Sequence, residues 1–245
     1  MSNFDIAGKL IVVTGGAGQL GQQWVPALET AGARCVVIDL VDGGDVTSPG
    51  YMRHALAAET VPDAVICAAA IDAKPGTPGC GRPEDVPLED FERTIRVNLV
   101  GVQNTIQTWA KAMMLRGSGG FILVSSIFGM VAPDHRRYTI GDSDNPQSFW
   151  KPAAYSASKA GLLGLARYWG TYLAPYGVRC NAVTFGSMNR DDYSSSFRTA
   201  FERDVPMGRF AQPGEFNGVL QWLISDASSY VTGANIVVDG GFTAW

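Results

Sequence analysis

Residues 9–21 read Lys-Leu-Ile-Val-Val-Thr-Gly-Gly-Ala-Gly-Gln-Leu-Gly, an apolar run that ends in a glycine-rich turn. The run predicts a buried strand, and a helical pattern follows the turn as far as Ala31. Strand, glycine turn and helix form an arrangement that binds dinucleotides, because glycines let the backbone approach a pyrophosphate and the helix N-terminus supplies free N–H groups. We therefore predict a cofactor against Gly15, Gly18, Gln19, Leu20 and Gly21.

Asp39 follows the second apolar run, Arg34 to Ile38, at the end of a predicted strand. An acidic side chain there can accept hydrogen bonds from adenosine ribose hydroxyls. It would repel a 2′-phosphate, and Leu40 and Val41 supply no arginine to bind one. The pattern favours NAD over NADP, hence NADH over NADPH, with Asp39 and Leu40 at the cofactor. The alternative is an ordinary turn aspartate.

Strands and helices alternate along the rest of the chain. Residues 64–67 and 120–125 are continuous apolar strands, residues 88–115 and 155–173 have helical patterning, and residues 235–238 form a closing strand. This alternation predicts an α/β fold, a doubly wound parallel sheet of the Rossmann type with helices on both faces. Ligands bind such sheets at the carboxyl ends of the strands. The residues that fall there are Gly15, Asp39, Ala68, Ser126 and Phe185.

The connection after the second strand is shortened. Only five residues separate Asp39 from Asp45, whereas a crossover between adjacent parallel strands needs about a dozen or more. We expect residues 43–47 to cross the adenine edge of the pocket with little or no regular strand, with Asp45 and Val46 covering the base. Alternatively, Asp45 caps a helix that begins near Pro49. The sequence leaves both interpretations open.

Tyr155 and Lys159 lie four residues apart in a predicted helix, so their side chains share one face. A free tyrosine has a pKa near 10, and a neighbouring cation favours the phenolate. We expect Lys159 to lower the pKa of Tyr155, which would make the pair a proton-transfer device. Taken alone, the spacing also fits an exposed helix pair worth a few tenths of a kcal/mol.

Six ordered signals resemble the short-chain dehydrogenase/reductase family over nearly the whole chain. They are the glycine loop, Val97-Asn98-Leu99-Val100-Gly101, Ser125-Ser126, the run from Tyr155 to Lys159, Asn181, and Val238-Asp239-Gly240-Gly241. The resemblance implies a nicotinamide-dependent enzyme. In it Tyr155 is the general acid/base, Lys159 binds the nicotinamide ribose and tunes the phenol, and Ser126 hydrogen-bonds the substrate oxygen.

The resemblance also implies that Asn98 contributes to the cofactor site and holds a water-linked proton path. The alternatives are a helix-kinking or turn-forming amide for Asn98 and a turn-capping hydroxyl for Ser126. The pattern departs from the family at four places, one of which is Phe185-Gly186 in place of the usual Pro-Gly. Gln19 replaces a glycine of the compact, single-domain branch, Cys67-Ala68-Ala69-Ala70 replaces Asn-Asn-Ala-Gly, and Arg190 replaces a threonine that contacts the nicotinamide carboxamide. Small residues still leave room for the cofactor, which we place against Ala68, Ala69, Ala70, Gly186 and Met188.

Ser126 and Tyr155 are separated by 28 residues, longer than the usual family interval. The active-site insertion, at about 133–152, mixes charged and aromatic residues in Asp134 to Tyr138, Asp142 to Pro146 and Phe149 to Pro152. This composition suits a polar ligand, anionic or sugar-like. The alternative is a solvated loop. Tyr138 lies four residues before Asp142 rather than before a lysine, so only Tyr155 has the cation that catalysis needs.

The run from Ser125 to Pro133, the insertion and the C-terminal motif most resemble family members associated with flagellin-type glycan and nonulosonic-sugar modification. This similarity implies a hydride transfer at a hydroxyl or ketone of a polar, sugar-like or cyclic small molecule, with secondary-metabolite ketoreduction open. Two alternatives are a sugar-nucleotide epimerase or dehydratase with retained NAD and a noncatalytic NAD-binding regulator. The first needs a substrate domain larger than the 59 residues after Gly186, and the second has no need of Ser126, Tyr155 and Lys159 together.

Length and composition fit one catalytic domain over residues 1–245, with 46% apolar residues, 17% charged residues and a net charge of −4. Such a balance argues against a nucleic-acid partner. Four scattered cysteines and two histidines suggest reduced thiols and no metal site. Without a leader or membrane-span pattern, we expect a cytoplasmic protein without a membrane partner.

The two long central helices carry more apolar surface than one sheet face covers. The residues concerned are Trp109, Leu115, Leu162, Leu165, Trp169 and Tyr172. Together with the family resemblance, this surface predicts a homodimer or homotetramer assembled through these helices. The alternative is ordinary core packing.

Overall fold

A computed structural model describes residues 3–58, 61–74, 79–138, 149–190 and 193–245. Within these ranges the chain forms one parallel sheet with helices on both faces. The strands are β1 (Leu10–Thr14), β2 (Arg34–Ile38), β3 (Ala64–Cys67), β4 (Gly119–Ser126), β5 (Val178–Phe185) and β6 (Asn235–Val238). The helices are α1 (Gly21–Thr30), α2 (Pro49–Ala58), α3 (Leu88–Ile95), α4 (Gly101–Arg116), α5 (Ala153–Leu173), α6 (Ser195–Arg203) and α7 (Asn217–Ile224).

The strand order is β2-β1-β3-β4-β5-β6, and every neighbouring pair is parallel. The chain runs outward from β1 to β2, then returns to the other side of β1 to form β3. This reversal creates a crevice outside the carboxyl ends of β1 and β3, where α/β sheets bind ligands. The predicted doubly wound Rossmann-type sheet is confirmed.

Alternation along the strands supplies two cores. In β1, Val12 packs with α4 and α5 on one face, whereas Ile11 and Val13 pack with α1 and α7 on the other. Both faces of β1 are therefore buried, which explains why Leu10 to Val13 are all apolar. A third cluster, Ile127, Phe128, Phe201, Val205, Phe210 and Phe242, joins α6 and the C-terminal segment to the end of β4.

The connection between β2 and β3 confirms the predicted shortening. Its described residues contain a 3₁₀ turn at Leu40–Asp42 and helix α2, but no strand. The capping alternative for Asp45 is wrong. Ser48 caps α2, because its Oγ accepts from the Tyr51 N–H (3.3 Å), whereas the Asp45 carboxylate accepts from the backbone N–H and hydroxyl of Thr47 (2.8 Å each). The Ser48 hydroxyl therefore caps the helix, while the Asp45 carboxylate stabilises the turn that precedes it.

The predicted helix over 88–115 is interrupted by one π-helical turn, Arg96–Val100, between α3 and α4. In the apolar set predicted to form an interface, Trp109, Leu162 and Trp169 belong to the core instead. Leu115 and Tyr172 of the same set are exposed. Within the described ranges, every helix is either too short or too polar to cross a bilayer.

Candidate active site

One cavity of about 790 Å³ opens at the carboxyl ends of the strands. Its volume is typical of a small-molecule or cofactor site. All the residues predicted to bind the cofactor line it, with one exception, Asn98. The lining members of that set are Gly15, Gly18, Gln19, Leu20, Gly21, Asp39, Leu40, Asp45, Val46, Ala68, Ala69, Ala70, Tyr155, Lys159, Gly186 and Met188.

The glycine loop is packed too tightly for side chains. Gly15 has a φ of +73°, and a Cβ there would lie 2.7 Å from the backbone of Ala69. A Cβ on Gly21 would lie 2.4 Å from Gly16. Helix α1 begins at Gly21, and the N–H of Gln22 already donates to the carbonyl of Gly18 (2.9 Å). The N–H groups of Gln19, Leu20 and Gly21, which have no acceptor among the described residues, remain for an anionic ligand at the positive end of the helix dipole. The loop therefore fits a cofactor pyrophosphate.

Asp39 joins the glycine loop to the end of β2. Its Oδ2 accepts from the Ala17 N–H (3.0 Å), and its Oδ1 accepts from the Val41 N–H (3.3 Å). These bonds use one lone pair on each oxygen and fix the carboxylate at the cavity wall. The remaining lone pairs are in a position to accept from a ribose diol, and the negative charge opposes a 2′-phosphate.

Ser126 and Tyr155 reach the cavity from β4 and from the first turn of α5. The Ser126 Oγ accepts from the Phe128 N–H (3.2 Å), and the Ser126 side chain lies close enough to the phenol of Tyr155 to act on its pKa. The turn-capping alternative for Ser126 is therefore correct, and the residue also lines the cavity. Its hydrogen bond to a substrate oxygen stays a prediction. Helix α5 is fixed against β4 because the Ser125 hydroxyl donates to the carbonyl of Lys159 (2.8 Å).

Lys159 is buried beneath the tyrosine. Its Nζ donates to the Val124 carbonyl (2.7 Å) and lies 5.7 Å from the ring centroid of Tyr155. Burial lowers the pKa of Lys159 to about 8, with Lys151 lowering it further and Asp72 opposing the change. The ammonium is thus a poorly solvated cation held by one carbonyl.

The expected lowering of the Tyr155 pKa is wrong for this arrangement. Burial raises the pKa of the phenol well above 10, and the charge of Asp72 raises it further. The Ser126 side chain acts on this pKa in the opposite direction, but its effect is smaller. The sequence indicated a lysine near Tyr155 but not that the tyrosine is deeply buried. Desolvation of the phenol has a larger effect on its pKa than the distant Lys159 cation. Tyr155 is consequently a protonated acid at neutral pH.

Asn98 lies behind the cavity wall, in the π-helical turn. Its Oδ1 accepts from the N–H of Ile71 (2.7 Å), and its Nδ2 donates to the carbonyl of Ile71 (3.0 Å) and to the hydroxyl of Ser158 (3.2 Å). Asn98 therefore holds the loop after β3 against α5 and does not line the cofactor cavity. This position agrees with the alternative interpretation of Asn98 as an amide that distorts a helix. Its water-linked proton path stays a prediction.

Two other family signals also have structural roles here. Asn181 donates to the carbonyl of Val231 (2.8 Å) and accepts from the N–H of Ala234 (3.1 Å), which fixes the chain before β6. Asp239 accepts from the N–H groups of Gly241 (2.8 Å) and Thr243 (2.9 Å). Neither residue lines the cavity.

The described parts of the insertion, 133–138 and 149–152, form one wall of the cavity through Arg137, Tyr138, Phe149 and Lys151. The predicted Asp142 to Pro146 segment lies outside the described residues. Arg137 is held by Asp204, with its Nε 2.6 Å from the carboxylate. Burial raises the pKa of Tyr138, so this second tyrosine is also protonated at neutral pH.

Sequence reasoning missed Asp72 and the aromatic residues Tyr193 and Phe197, which complete this end of the cavity. A signal for Asp72 was present, because it follows the carboxyl end of β3 by five residues. Arg190 lines the same region, with its guanidinium 5.3 Å from the ring centroid of Tyr193. The region combines aromatic surface with charged groups.

Two family models match successive parts of the chain. One, described as short chain dehydrogenase, matches residues 52–138, and another, described as Enoyl-(Acyl carrier protein) reductase, matches residues 139–243. The 2,5-dichloro-2,5-cyclohexadiene-1,4-diol dehydrogenase of Sphingobium indicum is 30% identical over 98% of this chain and 99% of that protein. The chain belongs to the short-chain dehydrogenase/reductase family.

Other members of this oxidoreductase family show similarity of different extent. The L-rhamnose 1-dehydrogenase (NAD(P)(+)) of Azotobacter vinelandii is 36% identical over 64% of this chain and 57% of that protein. The chain therefore spans little more than half of that enzyme. A short-chain dehydrogenase of Leptospira borgpetersenii, solved with bound NAD⁺, superimposes with a TM-score of 0.85 at 27% identity, covering 98% of this chain and 95% of that one.

Proposed function

We propose that this short-chain dehydrogenase/reductase is an NAD-dependent enzyme that transfers a hydride at a secondary hydroxyl or ketone of a polar, sugar-like or cyclic small molecule. One observation carries the proposal. Ser126, Tyr155 and Lys159 line the same cavity as the glycine loop and Asp39. A site for a dinucleotide and a proton donor for an oxygen atom are thus combined in one crevice.

The residues of this chain fit a nicotinamide dinucleotide. Gly15, Gly18 and the turn that leads into α1 would hold the pyrophosphate, because the missing side chains let it approach the backbone, and a Cβ at Gly15 would lie 2.7 Å from the backbone of Ala69. Asp39 would bind the adenosine ribose, and Val46 and the alanines after β3 would leave apolar room for the rings. When bound, the cofactor supplies the acceptor or donor of the hydride.

The proton steps belong to the protein. In the reducing direction the Tyr155 hydroxyl donates its proton to the substrate oxygen, while the Ser126 hydroxyl stabilises that oxygen by hydrogen bonding. In the oxidising direction Tyr155 first loses its proton to solvent, and the resulting phenolate, stabilised by the Lys159 ammonium, then accepts the proton of the substrate hydroxyl. The raised pKa of Tyr155 keeps the donor protonated at neutral pH, which supports the acid role.

The substrate class is supported by the composition of the cavity and by the relatives. The wall away from the glycine loop combines charged side chains with aromatic rings, which suits hydroxyl groups on a carbon ring or chain. Two relatives are named for L-rhamnose and for a cyclohexadiene diol. An association with flagellin-type glycans or nonulosonic sugars stays a finer proposal within this class.

We also propose a homodimer or homotetramer assembled through the exposed part of α4 and α5. Its support is the exposure of large apolar side chains on these two helices, Leu115 (81% exposed) on α4 and Tyr168 (63%) and Tyr172 (50%) on α5. A cytoplasmic location is proposed from the sequence alone, and cell fractionation tests it.

The function is tested by following absorbance of reduced nicotinamide in both directions, with NAD(H) and NADP(H). The substrate panel contains polyols, aldoses, sugar nucleotides, nonulosonic sugars and cyclic diols and ketones. Turnover with NAD(H) that disappears in Tyr155→Phe is the expected result. Net formation of NADH separates this enzyme from an epimerase that recycles its cofactor. Cofactor binding without turnover of any substrate would contradict the proposal.

A further inference from the structure

Lys151 and Asp72 form an ion pair inside the active-site cavity. The Nζ of Lys151 donates to the Oδ1 of Asp72, and both residues line the cavity. The Lys151 side chain is only 9% exposed, whereas that of Asp72 is 48% exposed. The pair is separate from the Ser126, Tyr155 and Lys159 group, and the mechanism above makes no use of it.

The pair lies against the proton-transfer tyrosine. The Nζ of Lys151 is 4.2 Å from the ring centroid of Tyr155 and 5.9 Å from that of Phe128. Lys151 and Asp72 therefore lie within reach of the next atoms of a group bound at the Tyr155 hydroxyl. Side chains at this position contact the substituent on the carbon next to the reacting carbon, so they can select the substrate.

Both partners are held on rigid supports. Lys151 immediately precedes Pro152, whose carbonyl accepts from the N–H of Tyr155 (3.1 Å) at the start of α5. Asp72 immediately follows Ile71, whose N–H and carbonyl are both bonded to Asn98. Groups fixed in this way lose little freedom when they bind a ligand.

The pair also has hydrogen-bonding capacity left over. Among the described residues, the Oδ2 of Asp72 has no donor, and Lys151 uses only one of its three N–H groups. A hydroxyl group can donate to the carboxylate and accept from the ammonium at the same time. Since the two charges neutralise each other, a neutral hydroxyl suits this position better than a carboxylate, which Asp72 would repel.

We propose that Asp72 and Lys151 determine specificity by binding the hydroxyl on the carbon next to the reacting carbon. The preferred substrate is then a vicinal diol or the corresponding α-hydroxy ketone. This inference rests on the proposed function. In the oxidising direction one carbinol would give its hydride to the nicotinamide cofactor and its proton to the Tyr155 phenolate, while the neighbouring hydroxyl would stay intact on the Asp72–Lys151 pair.

The test compares oxidation of three probes with NAD⁺: cyclohexane-1,2-diol, cyclohexanol and 2-hydroxycyclohexane-1-carboxylate. We expect the wild-type enzyme to prefer the diol over cyclohexanol in kcat/KM by about tenfold or more, as for a hydroxyl that binds charged partners. In Asp72→Asn the ratio of kcat/KM for the diol to kcat/KM for cyclohexanol should fall to within about threefold. The lost Asp72 charge also acts on Tyr155, but this effect is common to both substrates and cancels in the ratio.

Asp134→Asn is the matched control. Asp134 also forms an ion pair, with Arg136 (2.8 Å), and lies in the insertion that carries Lys151, but it does not line the cavity. It should leave the diol preference unchanged. If Asp72→Asn fails to fold because it strands a buried ammonium, the double variant Asp72→Ala/Lys151→Met removes both charges. The expected loss of diol preference is the same.

Three outcomes would overturn the inference. If Asp72→Asn lowers kcat/KM equally for the diol and for cyclohexanol, the pair only stabilises the structure of the cavity. A wild-type preference for the carboxylate that Lys151→Gln abolishes would show that Lys151 binds an anion instead. Wild-type enzyme that oxidises none of the probes contradicts this inference alone if the wider panel yields turnover, and the proposed function as well if it does not.

Discussion

At the scale of single residues, burial controls the chemistry of this site. Tyr155 and Lys159 are both withdrawn from water, so the phenol is a weaker acid and the ammonium a stronger acid than in free amino acids. Asp39 differs, because two backbone N–H groups fix it at the cavity wall. Each of these conditions has a measurable consequence.

Lys159→Met should abolish turnover and stabilise the fold. The folded pKa of Lys159, about 8, lies below the ordinary value of 10.5, so the buried charge costs stability at pH 7, and this cost is relieved as pH rises from about 8 to 10.5. We expect the free energy of unfolding to rise by about 1–3 kcal/mol at pH 7 and the gain to shrink by pH 10. Chemical denaturation across this pH range measures it.

The control for this variant is Lys111→Met, at an exposed position of α4, which should change stability little at any pH. Lower stability of Lys159→Met at pH 7 would show that the hydrogen bond to the Val124 carbonyl outweighs the cost of burying the charge.

Asp39→Asn should weaken the preference for NADH over NADPH by about tenfold or more. The amide keeps the shape and one acceptor oxygen but removes the charge that opposes a 2′-phosphate. Ratios of kcat/KM for the two cofactors measure the change, and Asp42→Asn, at an exposed position of the same turn, is the matched control. An unchanged ratio in Asp39→Asn would mean that this carboxylate does not select the cofactor.

At the scale of elements, the sequence predicted those parts that local rules determine. The apolar run and glycine spacing of residues 9–21 specify β1, the turn and α1, and the short interval after Asp39 removes one strand. The sequence could not show that Asn98 would lie behind the cavity wall, because a π-helical turn redirects its side chain toward Ile71. Nor could it place Asp72 beside Lys151, since they lie 79 positions apart in the sequence and only the folded sheet brings them together.

The glycine loop permits a sharp test of element packing. Gly21→Ala would bring its Cβ to 2.4 Å from Gly16, so we expect a loss of about 1–3 kcal/mol in the free energy of unfolding together with weaker cofactor binding. Gly218→Ala in α7 is the matched control, because a Cβ there meets nothing within 4 Å and should stabilise the helix by about 0.5–1 kcal/mol. Equal tolerance of the two substitutions would contradict the close approach at Gly21.

At the scale of the whole molecule, two apolar cores and the aromatic cluster around Phe201 hold the cavity between the sheet ends and α6. The face of α5 that carries Tyr168 and Tyr172 stays outside these cores, with the two rings stacked at 6.4 Å between centroids. Sequence patterning could identify this helix as apolar, but only the packing separates its core residues from its exposed ones.

The double substitution Tyr168→Glu/Tyr172→Glu should convert the proposed oligomer to monomers, because four carboxylates would face one another across a two-fold interface. Sedimentation velocity measures the change in mass. Tyr230→Glu, at a fully exposed tyrosine elsewhere, should leave the mass unchanged. A monomeric wild-type protein would contradict the proposed assembly.

The most direct test of the central claim is nicotinamide absorbance during turnover of the substrate panel, comparing the wild-type enzyme with Tyr155→Phe. We expect NAD⁺ reduction with at least one polyol or cyclic diol, and a fall in kcat of about 10²–10⁴-fold in Tyr155→Phe with cofactor affinity preserved. Turnover that survives Tyr155→Phe at the wild-type rate would contradict the assignment of Tyr155 as the group that transfers the proton.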